Sequence, residues 1–356
     1  MLKYIPTLGQ NSVILDPWNG AGTTTKAASE LGIRSFGLDL NPVMVVVAKA
    51  RQLTELTKLS VEPIWARLQE EFQAREKYVA EDPLGAWFRP STVGLIRSLE
   101  RGIAGLLVPE SSVKTSAADS VDHMSDLAAF FYNALFLAAK QSLSSRRSSN
   151  PTWIKRPRTD EQKIELSSKD LLAAIEWHLI TAASNMRGAS GGVGSSPHIA
   201  VGASESIKLV DNSVDVVLTS PPYCTRIDYA IASAVELAIL GVGERTGLSE
   251  LRNSLMGTTT VGGAPAEAEK EWGSTCCEFL SKLKYHSSYA SSSYYYKNHL
   301  KYFRSLGRSV GQISRVLKSG GIGVFVVQDS RYKDLKNDLA MVVSEMADVK
   351  IGRAHV

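Results

Sequence analysis

A short run of hydrophobic residues lies near the start of the chain, at residues 12–15, and is of the kind found in strands buried in a parallel sheet. A second strand is predicted at residues 34–39, and turn-forming or polar residues follow each strand. Helical patterns come next at residues 23–31 and 41–50, the second opening on an Asn-Pro pair. This alternation of strand and helix predicts a parallel sheet and an α/β fold.

The hydrophobic pattern becomes mainly helical in the next part of the chain. Apolar residues recur at helical spacing, most clearly at residues 127–143 and 171–186. A polar, basic stretch at 144–158 and a Gly/Ser-rich stretch at 189–196 interrupt this pattern. We therefore predict a helical insertion over residues 52–195.

The α/β pattern then returns. The predicted elements are, in chain order, strands at 198–201 and 214–219, a helix at 299–316, a turn at 318–321, a strand at 322–327 and the first part of a helix at 336–347. A second polar insertion at about 243–296 interrupts them. The last six residues, 351–356, resemble translated adapter sequence, so we expect a non-native tail on a fragment of a longer protein.

Composition narrows the class of protein without identifying it. The 356 residues are 44% hydrophobic, as in ordinary globular proteins, and the net charge of +4 at pH 7 permits nucleic-acid binding without demonstrating it. No apolar run reaches the about 18 residues of a membrane span, and no signal peptide is visible. Cys224, Cys276 and Cys277 fit neither a disulfide framework nor a zinc site, so we expect no metal and a reducing cytoplasm.

A glycine-rich turn, Asp16-Pro17-Trp18-Asn19-Gly20-Ala21-Gly22-Thr23, connects the first strand to the first helix. Glycines allow a sharp turn and close approach of a ligand, and a helix N-terminus presents free N–H groups. The third glycine of the dinucleotide pattern is missing, which disfavours NAD. Asp39, at the end of the second strand, can accept hydrogen bonds from both ribose hydroxyls of a nucleoside cofactor. The simpler alternative is a tight turn, with Asp39 capping the following helix.

A second motif, Thr219-Ser220-Pro221-Pro222-Tyr223, follows a hydrophobic strand. The prolines Pro221 and Pro222 stiffen the loop. The Ser220 hydroxyl and the Pro221 carbonyl can accept hydrogen bonds from an exocyclic amine, which leaves the nitrogen lone pair free to attack. Tyr223 offers an aromatic face to a base flipped out of a duplex. The alternative is a proline-rich turn that only ends the strand.

Together these motifs resemble those of amino-group DNA methyltransferases, which act on cytosine N4 or adenine N6. Residues 16–25 are similar to their Asp-Pro-Phe-x-Gly-Ser-Gly-Thr-Thr motif, residues 37–42 to their second motif, and residues 219–223 to their catalytic motif. The resemblance implies a Rossmann-like methyltransferase fold that binds S-adenosylmethionine. It implies that the methionine part of this cofactor is lined by Asp16, Trp18, Gly20, Gly22 and Thr23. The ribose would be held by Asp39, with Asn41 in the same cofactor site.

The resemblance also implies a reaction and its setting. The chain would transfer a methyl group to a flipped base in duplex DNA, and Ser220 favours cytosine N4 over the adenine N6 alternative. A catalytically inactive DNA-binding relative stays open, because Gly202-Ala203-Ser204-Glu205 replaces the family's Gly-Asp-Ala on the third strand. Family analogy points to a prokaryotic cytoplasm and to restriction or defence partner proteins.

The resemblance covers about half of the chain and predicts how it is divided. Residues 1–51 would form the cofactor-binding half of a methyltransferase domain and residues 196–350 its catalytic half, with the helical insertion between them as a candidate for target recognition. Two groups of side chains within the insertions are candidates for DNA contact. They are the basic Arg146, Arg147, Lys155, Arg156 and Arg158, and the largely aromatic Tyr285, His286, Tyr289, Tyr294, Tyr295, Tyr296, Lys297 and His299.

Overall fold

A five-stranded parallel sheet forms the centre of the molecule. The computed structural model describes residues 8–9, 11–72, 81–109, 116–148, 153–186, 196–224, 227–245, 247–260, 262 and 267–352. The sheet strands are β1 (Val13–Asp16), β2 (Arg34–Asp39), β3 (His198–Val201), β4 (Val214–Thr219) and β5 (Leu317–Phe325). Their order is β3-β2-β1-β4-β5, and all neighbouring strands are parallel. The predicted Rossmann-like α/β class is confirmed.

Helices connect these strands and fill both insertions. The first two, α1 (Thr23–Glu30) and α2 (Pro42–Ala50), lie in the β1–β3 half of the sheet. The helical insertion contains α3 (Glu55–Lys58), α4 (Val61–Glu71), α5 (Pro90–Leu107), α6 (Ala117–Ser120), α7 (Asp126–Ser142) and α8 (Ser168–Ser184). After β4 come α9 (Tyr229–Ala232), α10 (Ala234–Ile239), α11 (Leu248–Ser254), α12 (Ser274–Lys284), α13 (Tyr296–Val316) and α14 (Leu339–Lys350). Among the described residues, no helix is long and apolar enough to cross a membrane.

The helices of the insertion pack directly on α2. Val46 of α2, Leu135 of α7 and Ile175 of α8 belong to one buried hydrophobic core. The ammonium group of Lys49 is also buried there and donates to the carbonyl oxygens of Val121, Asp122 and Met124 at 2.8–3.0 Å. The insertion therefore shares its core with the β1–β3 half of the α/β unit.

The structure corrects two predictions near the end of the chain. The predicted turn at residues 318–321 lies inside β5, where the pairing with β4 jumps from Leu317 to Ile322 and the residues between bulge out. The predicted helix starts later, at Leu339, because a hairpin of β6 (Ser330–Tyr332) and β7 (Leu335–Asn337) precedes it. The turn of this hairpin, Lys333-Asp334, lacks the glycine that usually signals a hairpin in a sequence.

Two predicted segments lie wholly or largely outside the described residues. They are the Gly/Ser-rich stretch, of which residue 196 alone is described, and the final residues 353–356.

Candidate active site

The two sequence motifs meet at the carboxyl ends of β1 and β4. From β1 the strands β2 and β3 are added on one side of the sheet, whereas β4 and β5 lie on the other side. Ligands of open α/β sheets bind at such a switch in strand order. The Thr219 hydroxyl donates a hydrogen bond to Asp16 Oδ1 at 2.6 Å, although the residues are 203 positions apart in sequence. Both side chains are buried, and burial raises the pKa of the Asp16 carboxyl while the Thr219 hydrogen bond opposes this shift. The hydrogen bond fixes the cofactor motif to the catalytic motif.

A cavity of about 600 Å³ opens where these strands end. Eight of the residues predicted for the site line it, namely Trp18, Gly20, Asp39, Asn41, Ser220, Pro221, Pro222 and Tyr223. The other three predicted cofactor residues do not. Asp16 is buried against Thr219, Gly22 packs on α2, and the exposed Thr23 accepts a hydrogen bond from Arg51. The structure thus brings the catalytic motif and most of the predicted cofactor residues to one cavity.

Asp39 connects the glycine-rich turn to the start of α2. Its Oδ2 accepts from the Gly20 N–H at 3.0 Å and its Oδ1 from the Asn41 N–H at 2.8 Å. Burial raises the pKa of this carboxyl to about 6, against the lowering effect of those two N–H donors. A carboxylate has about four acceptor positions, so each oxygen retains capacity for a ligand hydroxyl.

The glycine-rich turn is held by close packing. Gly22 has a φ of +76°, and a Cβ there would lie 2.8 Å from the Cβ of Ala48 on α2. Gly37 of β2 leaves room for the side chain of Asn19, whose Cγ would be 2.5 Å from a Cβ at that position. Backbone shape or space therefore requires glycine at both positions, and the turn packs closely on α2 and β2.

The hydrogen bonds of the catalytic loop leave acceptors free. The Ser220 hydroxyl donates to the carbonyl oxygen of Val326 at 2.9 Å, so its proton is engaged and its lone pairs remain available. The Pro221 carbonyl receives no hydrogen bond from the described residues. The buried Tyr302 hydroxyl donates to the Pro222 carbonyl at 3.0 Å and supports the loop from below.

Tyr223 presents its ring on a fixed backbone. The residue is 46% exposed and lines the cavity. Its N–H donates to the Tyr229 hydroxyl at 3.3 Å. Gly257, with a φ of +75°, lies against its carbonyl, and a Cβ on that glycine would be 2.4 Å from the Tyr223 oxygen. The ring is therefore accessible for stacking while its main chain is held from both sides.

The structure adds a cavity wall that the sequence motifs did not reveal. Tyr229 of α9, Glu236 of α10 and Ser233, which lies between these helices, line the cavity. Lys140 lines it from the last turn of α7. Lys140 Nζ pairs with Glu236 Oε1 at 2.6 Å. The available sequence signal was a lone lysine within an otherwise apolar helical pattern.

The third strand leads into the same cavity. Ser204 and Glu205, which replace the acidic residue expected there, both line it. The Ser204 hydroxyl shares a 2.8 Å hydrogen bond with Ser309, and Glu205 lies 3.8 Å from Arg308. The carboxylate of Glu205 is therefore present at this edge of the cavity, two positions after Ala203, which stands where the family's Asp would follow Gly202.

The predicted DNA-contact groups lie away from the cavity lining. In the basic group, Arg156 stacks over the Trp87 ring at 5.3 Å and pairs with Glu244. In the aromatic group, Tyr289 is 97% exposed, whereas the Tyr294 hydroxyl donates to the Thr259 carbonyl at 2.8 Å. Arg226, beside the catalytic loop in sequence, lies outside the described residues.

Comparisons with known proteins agree with the methyltransferase resemblance. An 87-residue segment is 37% identical to the Type II methyltransferase M.BsoBI of Geobacillus stearothermophilus, covering 24% of this chain and 14% of that protein. An alignment over 150 residues is 29% identical to the Type II methyltransferase M.AvaI of Nostoc sp. and covers 38% of this chain and 30% of that protein. The matched regions thus span less than a third of these relatives. No protein-family model and no solved structure matches the chain.

Proposed function

We propose that this chain is an S-adenosylmethionine-dependent DNA methyltransferase that acts on an exocyclic base amine, with cytosine N4 as its target. The observation that carries the proposal is that residues of both motifs line one cavity, and that the Thr219–Asp16 hydrogen bond joins the two motifs. The similarity of two segments to Type II methyltransferases supports the reaction class.

The residues of the cavity fit this cofactor. Its volume of about 600 Å³ lies within the range of small-molecule sites. Asp39 would accept hydrogen bonds from the ribose hydroxyls, and Trp18 would contribute apolar surface. When bound, S-adenosylmethionine supplies an electrophilic methyl group. Asp16 would act from behind the lining, by holding the turn that carries Trp18 and Gly20.

The catalytic loop would orient the amine. Ser220 Oγ, whose proton is engaged by Val326, and the Pro221 carbonyl would accept the two N–H groups of the amine. These acceptors would direct the nitrogen lone pair away from the loop and toward the cavity. Tyr223 would stack on the flipped base and hold its plane. Positioning and electrostatics would thus provide most of the catalysis.

The choice of cytosine depends mainly on Ser220. A hydroxyl at the first position of this loop resembles the cytosine-N4 branch of the family, whereas Asp or Asn is more usual in the adenine-N6 branch. Duplex DNA with a flipped base is the proposed partner. The exposed Tyr285 and Tyr289 would meet DNA outside the cavity. A bacterial restriction or defence setting, with its partner proteins, is proposed by the same analogy.

The test is transfer of a labelled methyl group to DNA, followed by digestion to nucleosides. We expect label in N4-methylcytosine. Label only in N6-methyladenine would contradict the proposed target but not the reaction class. Binding of DNA without binding of S-adenosylmethionine, measured by calorimetry, would instead favour an inactive DNA-binding relative. Label in RNA or protein but not in DNA would contradict the proposed substrate.

A further inference from the structure

Glu236 has an unused acceptor in the wall of the cavity. The residue is 8% exposed and lines the cavity from α10. Its Oε1 pairs with Lys140, but its Oε2 is buried and has no hydrogen-bond partner among the described residues. Nearly all buried polar atoms in folded proteins are hydrogen-bonded, so an exception requires a reason.

The position of this carboxylate is fixed. Lys140 Nζ also donates to the carbonyl oxygen of Ala232, one turn before Glu236, at 3.2 Å. The lysine ammonium thus bonds two acceptors in this wall, the carbonyl oxygen at the end of α9 and Oε1 of Glu236 on α10. A buried carboxylate oxygen without a donor is costly, and a ligand N–H that supplies the missing hydrogen bond would remove that cost.

Glu236 approaches the cavity from the end where β2 stops and α2 begins. Ser233, three residues earlier, accepts a hydrogen bond from the Asn41 side chain at 2.8 Å. The Asn41 main-chain N–H in turn donates to Asp39, the proposed ribose ligand. Ser220, the proposed base ligand, lies at the end of β4 instead. The carboxylate is thus linked to the cofactor side of the cavity.

We propose that Glu236, held by Lys140, binds the cofactor by accepting a hydrogen bond from one of its amino groups. The inference rests on the proposed function. S-Adenosylmethionine has two such donors, the amine of its adenine ring and the α-amine of its methionine part. Glu236 is then a cofactor-binding residue that no sequence motif identified, and Lys140 is its positioning residue.

The test is calorimetric binding of S-adenosylmethionine to wild type, Glu236→Gln and Glu62→Gln. The last variant is a matched control, since Glu62 is exposed on α4. We expect Glu236→Gln to weaken binding by about tenfold or more, because it removes a charged acceptor. The control should bind like wild type. Thermal unfolding of each variant shows whether it is folded.

Two cofactor analogues identify the donor and need no variant. One has an oxo group in place of the adenine amine, and the other lacks the α-amine. We expect one of them to lose affinity for wild type and to show little further loss with Glu236→Gln. The inference is overturned if both analogues bind wild type as tightly as the cofactor. It is also overturned if Glu236→Gln binds the cofactor normally, or if it changes only the KM for DNA. Failure of wild type to bind S-adenosylmethionine contradicts the proposed function itself.

Discussion

The hydroxyl of Thr219 and the carboxylate of Asp16 lie 2.6 Å apart, at the adjacent ends of two central strands. Each belongs to a different motif, and neither is exposed to solvent. Asp16 also accepts from the Trp18 N–H at 3.2 Å, so one buried carboxylate supports the glycine-rich turn and the end of β4 together. The connection thus joins the two strand ends at which the cavity opens.

Replacing Thr219 with Val should test that connection. The substitution preserves the shape of the side chain but removes the donor to a buried carboxylate. We expect the free energy of unfolding to fall by about 2 kcal/mol, in the range for hydrogen bonds to charged groups. Urea unfolding measures the change, and Thr219→Ser, which keeps the hydroxyl, is the control. Equal stability of Thr219→Val and wild type would contradict the structural role.

Removing the ring of Tyr223 should affect turnover and not the cofactor. Tyr223→Ala deletes an exposed aromatic face without touching Asp39, so the Kd for S-adenosylmethionine should stay near the wild-type value. We expect kcat/KM for DNA to fall at least about tenfold, the scale of one base-stacking contact. Tyr223→Phe retains the ring and should keep most activity. A weakened Kd with unchanged turnover would place Tyr223 in the cofactor site instead.

Substitution of Asp39 should have the opposite effect. Asp39→Ala removes the acceptors proposed for the ribose hydroxyls, and the Kd for S-adenosylmethionine should rise at least about tenfold. Part of the turnover should return at saturating cofactor. Thermal unfolding must show that the variant is folded, because the Gly20 and Asn41 N–H groups lose their acceptor. Normal cofactor affinity in a folded variant would disprove the assignment.

Cofactor affinity should depend on pH because the Asp39 carboxyl titrates. Burial raises the pKa of Asp39 to about 6, so its carboxylate becomes protonated as the pH falls through that value. A protonated carboxyl accepts ribose hydrogen bonds less well, and binding at about pH 5 should be about tenfold weaker than at about pH 8. The effect should be absent in Asp39→Asn.

Protonation of Asp39 does not weaken cofactor binding by unfolding the chain. The folded chain holds this proton more tightly than the unfolded chain, where the pKa is near 3.8. Protonation of Asp39 between these two values therefore favours the folded state, and its contribution to stability rises as the pH falls. A pH-independent Kd in wild type would contradict the role of the carboxylate.

Gly257 should be intolerant of a side chain. Its φ of +75° disfavours any other residue, and a Cβ would lie 2.4 Å from the Tyr223 carbonyl oxygen. Gly257→Ala should lower the free energy of unfolding by about 1–3 kcal/mol and reduce turnover by displacing Tyr223. Gly105→Ala is a suitable control, since nothing lies within 4 Å of a Cβ there and alanine favours helix α5.

Much of the fold followed from local patterns in the sequence. The predicted strands at 34–39 and 214–219 match β2 and β4 residue for residue. The second is an apolar run that ends at Ser220, and the first lies between Gly32, where the preceding helix pattern ends, and the Asn41-Pro42 pair that opens the next helix. The helix predicted at 41–50 is present from Pro42, with Asn41 capping it by accepting from the Val43 N–H. Parallel strands also place their carboxyl ends at one edge, so the meeting of the two motifs followed from the fold class.

The rest depended on contacts that no local pattern contains. Periodicity shows that α7 and α10 are apolar. It does not show that the two helices pack against each other and bring Lys140 to Glu236 in the cavity wall. The β6–β7 hairpin escaped prediction because Lys333 adopts a φ of 54° in a turn without glycine. Side chains outside the motifs therefore required the folded structure.

The most direct test of the proposed reaction is mass spectrometry of nucleosides from DNA that has been incubated with the protein and with S-adenosylmethionine carrying a deuterated methyl group. We predict deuterated N4-methylcytosine with wild type and little with Tyr223→Ala. If folded wild type binds the cofactor but adds no deuterated methyl group to any base of the DNA, the chain is not a DNA methyltransferase.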